Sequence, residues 1–199
     1  MNLEQEKRHL EVACQQILLT DASVYSVQWL DLPGRYASQV TASLLLDRYL
    51  EFVKNATWHL IRPTVTGEGV QFRLLSTPLA LLSFSPPQYH ALEGGEEVQL
   101  SICGGFLVQT GECDRGRFSL QSAPHEGGVR ITVQLSDYCP LLLGSRTPSM
   151  IRKLLYRLTQ AYIHKVVTVR YLSRLYRDLT GLKIRHKVKK VQVREGLDT

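Results

Sequence analysis

Residues 148–179 decide the fold, and they read PSMIRKLLYRLTQAYIHKVVTVRYLSRLYRDL. After Pro148 the stretch holds no proline and no glycine, and its apolar residues recur in steps of three and four. These residues are Ile151, Leu154, Leu155, Leu158, Tyr162, Val166, Val169, Leu172, Leu175 or Tyr176, and Leu179. Such spacing predicts one amphipathic helix of roughly 30 residues, or about 45 Å, with its apolar stripe against another element. Gly181 predicts where this helix ends.

The chain before this helix has strand-like patterning. Beyond Pro63, apolar and polar residues alternate between turns rich in glycine and proline, which predicts about five strands at hairpin spacing. The predicted strands cover residues 70–74, 79–84, 98–108, 116–121 and 129–135. Gly104-Gly105 inside the third strand predicts a bulge or a sharp bend. The expected arrangement is an antiparallel meander.

The first 60 residues predict two helices and one strand. Residues 3–19 and 38–60 both carry apolar side chains at helical spacing, although the second helix could end near Asn55. Between them, residues 23–30 alternate as a strand and 31–34 form a turn.

Together these elements predict an α+β domain over residues 1–182. Its curved antiparallel β-sheet is wrapped around the long C-terminal helix, and residues 1–20 add an N-terminal helix. Residues 183–199 form a basic C-terminal tail. Ile184, His186 and Val188 alternate with charged neighbours, so this tail could also add an edge strand.

This order of elements resembles the helix-grip fold of the START-like (SRPBCC) superfamily, which includes lipid-transfer proteins, polyketide cyclases and pollen-allergen-type carriers of hydrophobic ligands. The resemblance covers about residues 23–180. It is carried by the glycine-bent strand ICGGFLV at 102–108, the hairpin GRFSLQSAPHEGGVRITVQL at 116–135, and the terminal helix. Members enclose an apolar cavity between the sheet and that helix. The resemblance therefore implies binding or transport of a hydrophobic small molecule or lipid.

The predicted lining of this cavity is mostly apolar, with a few polar atoms to orient a ligand. The strand residues in the prediction are Phe72, Leu100, Phe106, Phe118 and Leu135, and the helix residues are Leu155, Leu158, Thr159, Tyr162 and Val166. The Tyr162 hydroxyl, one turn from Thr159, could orient a ligand carbonyl or hydroxyl. His164 is two residues from Tyr162 and is expected to be solvated. The alternative for each apolar residue is that it only fills the core.

Charge is divided unevenly along the chain. Residues 1–145 carry a net charge of −5, and residues 146–199 carry +11. The predicted surface-binding cations are Arg170, Arg174, Arg177, Lys187, Lys189 and Lys190. An anionic membrane surface or an acidic protein is the predicted partner, ahead of nucleic acid, because no aromatic side chain is interleaved with the cations of the tail. The alternative is a solvated helix face beside an acidic remainder.

No catalytic or cofactor-binding motif is present in the sequence, so no catalytic residue, cofactor or metal site is predicted. The four cysteines form no CxxC pair and are expected to be buried thiols. The N-terminus lacks the apolar segment of a secretory signal, which favours a cytoplasmic location. A cyclase- or hydrolase-like enzyme using Tyr162 and Asp137 is a third hypothesis, with less support than a binding protein.

Overall fold

The structure is a computed structural model that describes residues 9–109, 115–141, 162–183 and 185–198. In these ranges the chain forms eleven strands, two α-helices and a 3₁₀ helix at Gly34–Gln39. The α-helices are α1 at Ala42–Ala56 and α2 at Tyr162–Thr180. The strands are β1 Leu10–Leu18, β2 Val24–Pro33, β3 Ile61–Thr66, β4 Gly69–Leu74, β5 Ala80–Phe84, β6 Gln88–Leu92, β7 Gly95–Gly104, β8 Arg117–His125, β9 Gly128–Tyr138, β10 His186–Lys190 and β11 Leu197–Asp198.

The described strands form a single sheet in the order β10-β1-β2-β9-β8-β7-β5-β4-β3. Strand β11 lies beside β1, and β6 lies beside β7. All pairs are antiparallel except β1 with β10. The predicted α+β class with a large, mostly antiparallel sheet is confirmed. Strands β3 and β6 were not predicted, because β3 contains Pro63 and β6 is exposed along most of its length.

The predicted N-terminal helix is wrong where the structure describes it, because Leu10–Leu18 is strand β1. Side chains of β1 alternate between two buried faces: Leu10 and Val12 join the main core, whereas Ile17 joins a second cluster on the opposite face. A strand buried on both faces carries apolar residues at closely spaced positions, and these also satisfy a helical repeat. We call the main-core side of the sheet the inner face and the other side the outer face.

Both α-helices pack on the inner face. Helix α1 contacts β3, β7 and β8, and α2 contacts β1, β2 and α1. The N-terminus of α1 is capped by Thr41, whose hydroxyl accepts a hydrogen bond from the Leu44 amide at 3.2 Å, so this helix begins later than predicted. Helix α2 ends at Thr180, directly before Gly181, as predicted. Its predicted first half, 148–161, lies outside the described residues.

The glycine pair after β7 bends the chain sharply. Gly104 has φ 146° and Gly105 has φ 122°, and a Cβ on Gly105 would lie 2.5 Å from the Leu81 carbonyl oxygen. The predicted bend is confirmed, and its physical reason is that only glycine adopts this backbone so close to a neighbouring strand. The predicted continuation of the strand through residue 108 is wrong, since β7 ends at Gly104.

The segment 186–198 runs along the free edge of β1. Strand β10 pairs with Leu10–Cys14 and β11 pairs with Ile17–Leu18. Between them the buried Gln15 side chain donates from Nε2 to the Arg194 carbonyl at 2.6 Å and accepts at Oε1 from the Arg194 amide at 2.9 Å. Of the two structures that the sequence allowed for this segment, a basic tail and an edge strand, the protein therefore forms the edge strand. Over the described chain, no helix is long and apolar enough to cross a membrane.

Candidate functional site

Four of the predicted lining residues lie together in the buried core of the inner face. They are Phe72, Leu100, Phe118 and Leu135. Val166 is half-buried on α2. Leu155, Leu158 and Thr159 lie outside the described residues, as does the side chain of Tyr162.

Phe106 does not face the core. Its side chain is 57% exposed, because the bend at Gly104-Gly105 interrupts the alternation that the prediction extended through residue 108. The same end of β7 carries Cys103, which is exposed, whereas Cys14 and Cys139 are buried as expected.

A row of aromatic rings fills the core between the sheet and both helices. Phe72 and Phe84 have ring centroids 5.3 Å apart, and Tyr49 lies 4.9 Å from Phe118 and 5.1 Å from Tyr171. The Tyr171 hydroxyl donates to the Leu45 carbonyl at 2.8 Å. Burial raises the pKa of both tyrosines well above the usual range, so both phenols stay neutral. Aromatic contacts of this kind stabilise a packed core, and this part of the inner face is occupied by the protein itself.

The inner face of β1 and β2 is different, because polar side chains are buried there. Gln28 and Ser26 are fully buried and Cys14 is 3% exposed. The Gln28 amide nitrogen donates to the Ser26 hydroxyl at 2.7 Å and lies 3.7 Å from the Cys14 sulfur. Its carbonyl oxygen, also buried, has no hydrogen-bond partner within the described ranges. Turning the amide over would exchange the two atoms and still leave one of them without a partner.

Helix α2 contributes a second buried polar group of this kind at Thr168. This residue is fully buried, and its hydroxyl has no partner among the described residues. The serine and the other threonine on α2 behave differently: the Ser173 hydroxyl donates to the Val169 carbonyl and the Thr180 hydroxyl to the Tyr176 carbonyl, both at 2.8 Å. Such bonding to the preceding turn is the usual way for a helical hydroxyl to be satisfied. The Thr168 hydroxyl makes no such bond within the described ranges.

Thr168 and Gln28 lie on elements that contact each other, because α2 packs on β1 and β2. Tyr176 at the end of α2 shares a surface groove with Leu10 at the start of β1. Cys14 pairs with Gln28 across β1 and β2. Thr168 and Gln28 are thus two fully buried polar residues on packed neighbouring elements, α2 and β2.

His164 lies one turn before Thr168 on α2. It is half-buried, and burial lowers the pKa of its imidazole to about 4, so the ring is neutral at pH 7. The prediction of a solvated histidine is therefore wrong. His164, Thr168 and Gln28 are three uncharged polar residues on α2 and β2, and their side chains offer donors and acceptors for a neutral polar group.

The predicted surface-binding cations lie on two elements. Arg170, Arg174 and Arg177 lie on α2, and Lys187, Lys189 and Lys190 lie on the exposed strand β10. Three of them have acidic neighbours. Arg174 donates from Nε to both Asp178 carboxylate oxygens at 3.0 Å, the Arg177 Nε lies 3.8 Å from Asp178, and the Lys189 Nζ lies 3.6 Å from Glu11. Both elements adjoin β1, which α2 contacts on the inner face and β10 pairs with at the edge.

Sequence reasoning missed Gln28 and Thr168. The strand prediction for residues 23–30 rested on alternation, with Tyr25, Val27 and Trp29 on one face. The alternate residues Ser26 and Gln28 are as deeply buried, because β2 is covered on both faces. The available signal was that Ser26 and Gln28 lie between the apolar residues Val24 and Leu30 on the same face of the strand.

The fold and site define an α+β protein with helices on one face of a large sheet and buried, uncharged polar groups beneath one of them. No family model and no curated relative matches the chain. Among solved structures, the chain is similar to CalU16 from Micromonospora echinospora, at 10% sequence identity and a TM-score of 0.36. The match covers 87% of this chain and 92% of CalU16. A similarity this distant says nothing about ligand or activity.

Proposed function

We propose that this protein has a helix-grip fold and binds a hydrophobic small molecule or lipid between the inner face of its sheet and the C-terminal helix. Three features support the fold: β2 pairs with β9, the strands from β9 back to β3 follow in reverse chain order, and the helix after β9 packs on the inner face. The bend at Gly104-Gly105 supplies the curvature that such a sheet needs.

The observation that carries the proposed function is the pair of buried polar atoms without partners among the described residues, Gln28 Oε1 and Thr168 Oγ1. Leaving a buried donor or acceptor unsatisfied costs about 1–3 kcal/mol per group. A ligand that hydrogen-bonds to both would recover this free energy on binding. The Thr168 hydroxyl can donate and the Gln28 carbonyl can accept, so the best-matched ligand group is a hydroxyl or a protonated carboxylic acid on an otherwise apolar molecule.

Two measurements test the proposal. The purified full-length chain is extracted with organic solvent, and the extract is analysed by mass spectrometry for apolar molecules. Displacement of N-phenyl-1-naphthylamine by oleic acid then measures affinity. We expect displaceable binding, and a Gln28→Met variant should bind the hydroxyl- or carboxyl-bearing ligand about tenfold more weakly, since one buried hydrogen bond is lost.

Gln134→Met is the matched control. Gln134 lies on the outer face of β9, beside Val27 of β2, so the same chemical change falls on the opposite side of the sheet. Its affinity should equal that of the wild-type chain. Absence of displaceable binding would refute the proposed function, and equal losses in the two variants would refute the assigned site.

A further inference from the structure

One end of the sheet carries exposed apolar side chains from three neighbouring loops. The loop from α1 to β3 presents Trp58 and Leu60, the loop from β4 to β5 presents Leu75 and Leu79, and the bend after β7 presents Phe106. Their exposed fractions are 92%, 50%, 46%, 40% and 57% in that order. We call these five residues the apolar tip. Trp58 alone exposes on the order of 200 Å², and contiguous apolar surface beyond a few hundred Å² marks an interaction site.

Backbone hydrogen bonds hold the three loops side by side. The Leu75 amide donates to the Leu60 carbonyl at 2.7 Å, the Leu74 amide to Leu79 at 3.0 Å, and the Phe106 amide to Ala80 at 2.9 Å. Trp58 has φ 48° and Leu75 has φ 51°, in the left-handed region that bulky residues rarely adopt. The surrounding hydrogen bonds therefore keep apolar side chains outside the core in a fixed arrangement.

The charges around the apolar tip are positive. Lys54 lies in the last turn of α1, and Arg62 near the start of β3 pairs across the strands with Arg73 of β4. The described stretches 54–62, 73–81 and 104–109 contain no aspartate or glutamate; Glu112 and Asp114 follow the last of them and lie outside the described residues. Exposed tryptophan and leucine ringed by lysine and arginine suit the boundary of an anionic bilayer, where the indole ring lies at head-group depth.

We propose that the apolar tip docks this protein on anionic lipid membranes, with Trp58 inserted into the head-group region and Lys54, Arg62 and Arg73 facing lipid phosphates and carboxylates. This surface is distinct from the Gln28–Thr168 site. The attachment predicted from sequence, through Lys187, Lys189 and Lys190, becomes a competing outcome of the same test.

The experiment measures vesicle binding with Trp58 as the reporter. A Trp29→Phe background leaves Trp58 as the only tryptophan of the chain. Titration with vesicles of equal parts phosphatidylcholine and phosphatidylserine should shift its emission to shorter wavelength, and brominated phosphatidylcholine in the vesicles should quench it. Co-sedimentation of the wild-type chain should be lost at high salt and with phosphatidylcholine alone.

Substitutions in the apolar tip test whether its side chains make the membrane contact. Trp58→Ser and Phe106→Ser should each weaken co-sedimentation by about tenfold or more, because burying a large apolar side chain is worth at least that factor. Tyr89→Ser, which changes an aromatic residue 56% exposed on β6, is the control and should bind as the wild type does. Matching melting temperatures show that the variants remain folded.

Three results would overturn the proposal. The first is unchanged co-sedimentation of both tip variants. The second is a result in which the tip variants bind vesicles normally and binding is lost in a triple variant, Lys187→Glu, Lys189→Glu, Lys190→Glu. The third is size-exclusion data in which the tip variants abolish a dimer while the wild type does not bind vesicles. A vesicle result of either sign leaves the ligand proposal intact, because dye displacement by oleic acid is measured without membranes.

Discussion

Replacing Thr168 with valine should make the ligand-free protein more stable. Valine has nearly the same shape as threonine but lacks the hydroxyl, which is fully buried and has no partner among the described residues. Threonine and valine have similar helix propensities, so the change acts mainly on desolvation. Removing a group whose burial costs about 1–3 kcal/mol should raise the free energy of unfolding by a similar amount. For a chain of this size, the melting temperature should rise by about 2–4 °C per kcal/mol.

The same substitution should weaken ligand binding. A gain in the stability of the ligand-free protein together with a loss of ligand affinity is the result that distinguishes a binding role for the hydroxyl from a purely structural one. Urea unfolding of delipidated Thr168→Val is compared with the wild-type chain, and N-phenyl-1-naphthylamine displacement by oleic acid is measured on both. Thr180→Val is the control, since its hydroxyl donates to the Tyr176 carbonyl and its loss should lower stability slightly. If Thr168→Val instead destabilises the ligand-free protein, the hydroxyl has a partner in the native state and the reasoning is wrong.

Three further outcomes follow from single contacts. The Ser23 hydroxyl, which donates a hydrogen bond to Asp21 at 2.6 Å, helps lower the pKa of this carboxyl from 3.8 to about 2. Because the pKa is lowered in the folded state, the Asp21 carboxylate stabilises the fold fully above pH 3.8, and this stabilisation is lost as the pH falls toward 2. The difference in melting temperature between the wild type and Asp21→Asn should therefore disappear over that pH range. The Ala42 amide at the start of α1 donates to Glu96 at 2.8 Å, so Glu96→Ala should lower the free energy of unfolding by about 0.5–1 kcal/mol in urea titration, and no change would contradict the capping role. Deleting residues 186–199 should lower the melting temperature and cause aggregation detectable by light scattering, because the edge of β1 loses its partner strands; a monomeric, equally stable product would contradict this.

Sequence patterning predicted most of the strands, but it failed for β1, which is buried on both faces, and for β3 and β6, which are largely exposed. Alternation identified β4, β8 and β9, because one face of each lies in the core and the other is more polar. Strand β1 is covered by α2 on the inner face and by residues 191–197 on the outer face, and coverage by a segment so distant in sequence leaves no local signal. Its closely spaced apolar residues were read as a helix for that reason.

The site could be predicted only in part for a related reason. The apolar lining residues Phe72, Leu100, Phe118 and Leu135 are buried as the period-two pattern indicated. Whether a buried side chain fills the core or lines a cavity depends on the distance between layers, which periodicity does not encode. Gln28 and Thr168 become conspicuous only once hydrogen-bond partners can be counted, since in the sequence each is an ordinary polar residue within an apolar stretch.

The pairing of β1 with β10 also has a consequence for how the chain folds during synthesis. Gln15 and the Arg194 backbone that it binds are 179 positions apart. Until residues 186–198 have left the ribosome, β1 has an unprotected edge able to recruit strands from other molecules. Contacts between such distant positions also slow folding. We therefore expect the nascent protein to be open to intermolecular strand pairing during the interval before its own C-terminal segment covers that edge.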